Sequence, residues 1–123
     1  MGPVLRYLDL ERRGDVCCVR FRRGRLDEKE IHDLTEELLA AGLSDACGRL
    51  VLSFGGPHPP QLMYSIFLAR LITLQRLLGE QGRELVLCDV GPAVRAIFEA
   101  CHLHGYFRFA ADPAAASSLP SYG

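Results

Sequence analysis

The sequence predicts an α/β fold: a mixed sheet of about five strands that opens with an antiparallel hairpin, in the order β-β-α-β-α-β-α-β, with helices packed mainly on one face. Three observations predict it. Two short runs rich in β-branched, aromatic and cysteine residues stand near the start, separated by a turn-forming stretch. Later apolar runs of strand length alternate with segments whose apolar residues recur at helical spacing. Glycine and proline fall between these segments, where the chain must reverse. Alternating strands and helices require right-handed crossovers onto a largely parallel sheet.

Residues 4–10 and 16–22 predict two strands joined through Glu11–Asp15, and in the second Cys17, Val19 and Phe21 alternate with Cys18, Arg20 and Arg22, one apolar face against one mixed face. Asp27 followed by Glu30 makes a capping pair, and Ile31, Leu34 and Leu38 predict a helix over 28–41 that Gly42 would end by a left-handed turn. Residues 49–54 are continuously apolar after Arg49, as in a strand covered on both faces. The loop Gly55-Gly56-Pro57-His58-Pro59-Pro60 stops it. From Leu62 to Leu78 apolar residues are so dense that only Arg70, Gln75 and Arg76 mark a wet stripe on the predicted helix. Residues 84–88 predict a buried strand, and Gly91-Pro92 opens a helix carrying Val94, Ile97, Phe98 and Cys101 on one side and ending near Gly105. Residues 106–109 predict the last strand. The expected organisation is one domain over 1–112 and a short, disordered C-terminal tail over 113–123 that holds at most one helical turn.

At 123 residues and 13.6 kDa the chain suits one hydrophobic core. Fourteen basic residues oppose fifteen acidic ones, so no global field draws it to nucleic acid or an anionic membrane. Arg12, Arg13, Arg20, Arg22, Arg23 and Arg25 cluster locally and read as a solvated strand face and hairpin tip. No stretch reaches the roughly 20 apolar residues of a spanning helix, and residues 1–10 contain Arg6 and Asp9 where a signal peptide is apolar. Arg6 also occupies the position where a myristoylation signal has Ser or Thr. A cytoplasmic location is expected. Five cysteines without framework spacing suit buried thiols in a reducing compartment.

For chemistry, Gly55-Gly56 lacks the lysine and hydroxyl ending of a phosphate-binding loop, and no cofactor is expected. Cys101, His102 and His104 are spaced so that a helix points them apart, so no metal site is expected, and a helix C-terminus by itself favours histidine. Ser53, Ser65, His58 and Asp89 could be gathered by folding, yet none lies in a nucleophile motif. A small serine or cysteine hydrolase or transferase is therefore the weaker alternative to a non-enzymatic binding module.

Residues 83–109, RELVLCDVGPAVRAIFEACHLHGYFRF, resemble one stretch of the STAS domain family, with Val90, Pro92, Val94, Arg95, Phe98, Leu103 and Phe107 in the pattern. Arg49–Phe54, Leu62–Leu78 with Leu68 and Leu71, and Arg25-Leu26-Asp27 resemble the family's third strand, central helix and entry to the first helix. The resemblance covers about residues 5–112 and implies a STAS-like (SpoIIAA-like) fold in a bacterial anti-sigma factor antagonist. The implied partner is an anti-sigma factor or serine kinase, and a homodimer or phosphorylation-independent scaffold is the alternative. In phosphorylated members a strand ends in aspartate and, further on, an acidic residue precedes a serine and then the acceptor; here Ser53 stands at the first aspartate. Counting back from the following strand puts Ile66 at the acceptor, whereas a slip of one position makes Ser65 the phosphorylation candidate. The expected partner surface is Gly55, Gly56, Pro57, His58, Tyr64, Ser65 and Ile66.

Overall fold

The computed structural model describes residues 5–44, 47–55 and 65–120, Ser65 by its backbone alone. Strands β1 (Leu8–Arg13), β2 (Val16–Phe21), β3 (Arg49–Ser53), β4 (Glu84–Cys88) and β5 (Arg108–Ala110) form one sheet in the order β1-β2-β3-β4-β5. The first pair is antiparallel and the other three are parallel. Each parallel crossover steps in the same direction, so right-handed connections place all three intervening helices on one face. These are α1 (Glu28–Gly42), α2 (Ser65–Glu80) and α3 (Pro92–Ala100). The mixed sheet, its opening hairpin and the one-sided helix layer agree with the sequence.

The alternation of strand side chains divides the interior. Cys17, Val19, Phe21, Leu50, Leu52, Leu85 and Leu87 face the helix layer and pack with Ile31, Leu34, Leu38, Phe67, Leu71, Leu78 and Phe98. Burying each large side chain contributes about 1.5–3 kcal/mol. On the opposite face Val51, Val86 and Cys88 close around Ala116. That face has a cover the sequence reading lacked: α4 (Pro113–Ser118). Asp112 caps it by accepting from the Ala115 amide at 2.8 Å, and Ala116 is fully buried. The expected fraying of the 113–123 tail therefore does not hold over 113–118; six small residues fold because the apolar strip of β3 and β4 needs covering.

Four boundaries also move. The first strand starts later and runs through Glu11, Arg12 and Arg13, because Gly14 at φ +60° makes a two-residue turn with Asp15 and Arg13 pairs with Val16. An edge strand tolerates such charges, since half its backbone is unpaired and open to water. Gly42 does not cap α1 in a left-handed turn; it is the last helical residue, and a Cβ there would lie 2.7 Å from Leu78 Cδ2, so any larger residue would have to displace the buried Leu78 side chain. The last strand is Arg108–Ala110, two residues beyond its expected start, with Phe107 turned into the core ahead of it.

The fourth is the end of α3, which comes at Ala100, well before Gly105. His102 takes the left-handed position at φ +57°, its amide donates to the Glu99 carbonyl at 3.0 Å, and the Leu103 amide donates to the Phe98 carbonyl at 2.8 Å. Both bonds of a Schellman ending are thus made with histidine where glycine is favoured. His102→Gly should raise stability by about 1 kcal/mol by relieving the Cβ clash of a left-handed residue, read as a higher urea midpoint at unchanged slope.

Candidate functional site

The site lies where β3 and β4 end and α2 begins. Phe54 leaves β3 with its amide donating to the Cys88 carbonyl at 2.9 Å, and its ring packs on Phe21 and Phe67 at centroid distances of 5.6 and 6.5 Å. The trio joins β2, the exit of β3 and the first turn of α2, fixing both ends of the loop between them. Gly55 follows, pressed against Asp89: a Cβ on it would come within 3.0 Å of the Asp89 Cβ. At the other end, α2 starts at Ser65 and presents Ile66, 37% exposed, beside the fully inward Phe67.

Beneath the rim sits a polar contact that sequence spacing did not signal. Ser53 is fully buried; its hydroxyl donates to Asp89 Oδ2 at 2.6 Å and its oxygen accepts from the Gly55 amide at 3.2 Å. Asp89 stands just past β4 in a left-handed conformation, φ 55°, with its amide donating to the Ala111 carbonyl at 3.2 Å. At the position where the resemblance implied an aspartate, this chain has a serine that hydrogen-bonds an aspartate just past the neighbouring strand. Strand pairing explains it, since Ser53 is in register with Cys88. Beside it, burial above all, then the charge of Asp89, pushes the Cys88 thiol up to about 12. The Cys47 thiol is likewise pushed up to about 12, first by burial and then by Cys17. Neither is a thiolate nucleophile near neutrality.

Of the residues singled out in sequence, the structure places Gly55, Ser65 and Ile66 at the rim and brings Ser53 and Asp89 together. Gly56, Pro57, His58 and Tyr64 lie outside the described residues. Much of the basic cluster is neutralised locally: Arg22 binds Asp9 at 2.6 Å, Arg23 binds Glu30 at 2.6 Å and Arg13 binds Glu11 at 3.0 Å. No helix among the described residues is long and apolar enough to cross a membrane.

One feature carried no sequence signal. Arg49, which opens β3, is buried and donates to Glu84 Oε2 from Nη2 at 2.9 Å, while its Nη1 donates to the Ala116 carbonyl at 2.9 Å. Arg108 of β5 reaches the same Glu84 oxygen at 3.0 Å. A single carboxylate thus ties three parallel strands together, and Arg49 ties them to α4.

A five-stranded mixed sheet that opens with one antiparallel hairpin and carries three helices on one face defines the fold class. The STAS domain family model matches residues 7–116, and the chain belongs to that family. Solved structures of the same fold include an anti-sigma-factor antagonist (STAS) domain protein from Planctomyces limnophilus, with 19% identity over 90% of this chain and 96% of that one and a TM-score of 0.74. Bacillus SpoIIAA in its phosphorylated form matches at 18% identity over 92% and 99%, with a TM-score of 0.66. A serine-to-glutamate variant of RsbS from Moorella thermoacetica matches at 21% identity over 89% and 91%, with a TM-score of 0.73. No curated protein is similar enough to count as a match.

Proposed function

We propose that this chain is a non-enzymatic regulatory module of the cytoplasm that acts as an anti-sigma factor antagonist, binding an anti-sigma factor or serine-kinase partner. The docking surface is centred on Gly55 and the first turn of α2, with Gly56, Pro57, His58 and Tyr64 of the intervening sequence as further contact residues. The observation that carries this reading is Ile66: a large apolar side chain held 37% exposed on a turn anchored by the Phe67 ring. The similar structures support it, since one is an anti-sigma-factor antagonist domain and another is SpoIIAA in its phosphorylated form. Ser65, at the start of α2, is the residue for a phosphorylation switch: about two negative charges would suit a helix N-terminus and repel an apolar partner. Ile66 has no hydroxyl, and this favours the second reading, a scaffold or homodimer that works without phosphorylation.

The full chain incubated with candidate kinase partners and ATP, read by mass spectrometry, separates the two. Phosphate on Ser65 supports the switch; retained binding with no phosphate supports the scaffold. Ile66→Asp places a carboxylate in the first turn of α2, which the helix tolerates, and should weaken partner binding by about 30-fold or more, the loss of a central apolar anchor. Unchanged affinity would move the docking surface elsewhere.

A further inference from the structure

We propose that the groove between the β1–β2 hairpin and α4 binds a small monoanionic amphiphile, a carboxylate on an apolar body. This site is on the face of the sheet turned away from the helix layer and is independent of the rim. It exists because α4 has only six residues and packs on β3, β4 and β5, leaving the same face of β1 and β2 uncovered. The result is a cavity of about 520 Å³ with Val16, Cys18 and Arg20 as its floor, Glu11 and Arg13 on one side and α4 on the other. That volume falls within the range of small-molecule sites.

The groove is held in shape before any ligand arrives. Arg49 Nη1 pins the Ala116 carbonyl at 2.9 Å, Asp112 caps the helix, and the Ser117 hydroxyl donates to the Pro113 carbonyl at 2.9 Å. Its charges decide the ligand. Glu11 and Arg13 pair at 3.0 Å, the Asp112 carboxylate is turned to the Ala115 amide as the cap of α4, and Asp9 just outside binds Arg22. The Arg20 guanidinium forms no ion pair or hydrogen bond among the described residues, so it is the cation of the groove open to a ligand carboxylate. A planar guanidinium matches a carboxylate by two parallel bonds. Val16, Cys18, Pro113 and Ala114 supply the apolar lining for the rest of the molecule. Burial raises the Cys18 thiol, so this part of the floor stays neutral.

The test titrates the isotope-labelled full chain with octanoate, 1-octanol and octylammonium and follows backbone amide shifts. Octanoate should move amides of β1, β2 and residues 112–118, while the neutral and cationic analogues bind at least about tenfold more weakly, the share of a charge-assisted bond. Arg20→Gln should cost octanoate a similar factor, whereas Arg12→Gln, on the other face of β1, should leave it unchanged. Ala114→Trp should fill the groove and abolish the response while circular dichroism stays native, since Ala114 is exposed. Equal binding of octanol and octanoate, shifts confined to the helix layer, full affinity in Arg20→Gln, or no response to octanoate would each overturn the proposal.

Discussion

Glu84→Ala should lower the thermal midpoint by about 10–20 °C, equivalent to about 3–5 kcal/mol for a buried ion pair stripped of one partner. The side chains of Arg49, Glu84 and Arg108 are only 8, 13 and 18% exposed, so water screens them little. Removing the carboxylate takes away the buried countercharge that Arg49 and Arg108 share. Glu84→Gln, which keeps an acceptor but no charge, should fall between Ala and wild type. Hydrogen exchange gives the second readout: amides of 114–118 should exchange faster in Glu84→Ala, because Arg49 holds the carbonyl end of α4 through Ala116. A loss below about 1 kcal/mol would mean that the charges are solvated and the cluster is dispensable.

Ser53→Asp introduces the residue that the family resemblance implies at this position and should nonetheless destabilise this chain by about 3–5 kcal/mol at neutral pH, the scale of an uncompensated buried charge. Ser53 is fully buried and its hydroxyl already donates to Asp89 at 2.6 Å. A second carboxylate there loses the donor, is desolvated and faces a like charge, all of which raise its folded-state pKa. A group whose folded pKa lies above its unfolded value of about 3.9 is least harmful when protonated, so the deficit should shrink at acid pH and grow as pH rises through the folded pKa. Urea midpoints of variant and wild type across that range check the sign. A pH-independent deficit would point to steric crowding in place of charge.

The sequence was most informative where local pattern and tertiary packing ask for the same residues. Asp27 and Glu30 form the full capping box their spacing predicts, with the Glu30 amide donating to Asp27 at 2.8 Å and the Asp27 amide to Glu30 at 3.1 Å. β4 runs over the expected 84–88 because a continuous apolar run between polar flanks has one solution in a covered parallel sheet. It was least informative where the deciding partner is remote. Gly42 reads as a helix stop, yet what it adjoins is the buried Leu78 side chain, 36 residues on, which a Cβ would displace. Arg49 reads as a flank to an apolar run, and only Glu84 and Ala116, 35 and 67 residues away, give it a role. The alanines of α4 have no helical moment to detect; the strip on β3 and β4 makes them fold. For the site, the family resemblance pointed to Gly55 and Ile66 as an expected surface, while the Ser53–Asp89 contact depends on parallel register, which no single segment encodes.

The strand order β1-β2-β3-β4-β5 also bears on how the chain assembles during synthesis. Every strand pairs with the one made just before it, so no strand waits for a neighbour encoded further downstream. The hairpin needs only a two-residue turn, and each later helix and strand adds to a growing edge whose partner is already present. Loop closures therefore stay short at every step, which keeps their entropic cost low for a parallel sheet. The exposed edge meanwhile passes from β2 to β3 to β4, and until Arg108 emerges and the three-residue β5 covers it, the nascent chain holds the apolar edge of β4 open to other chains.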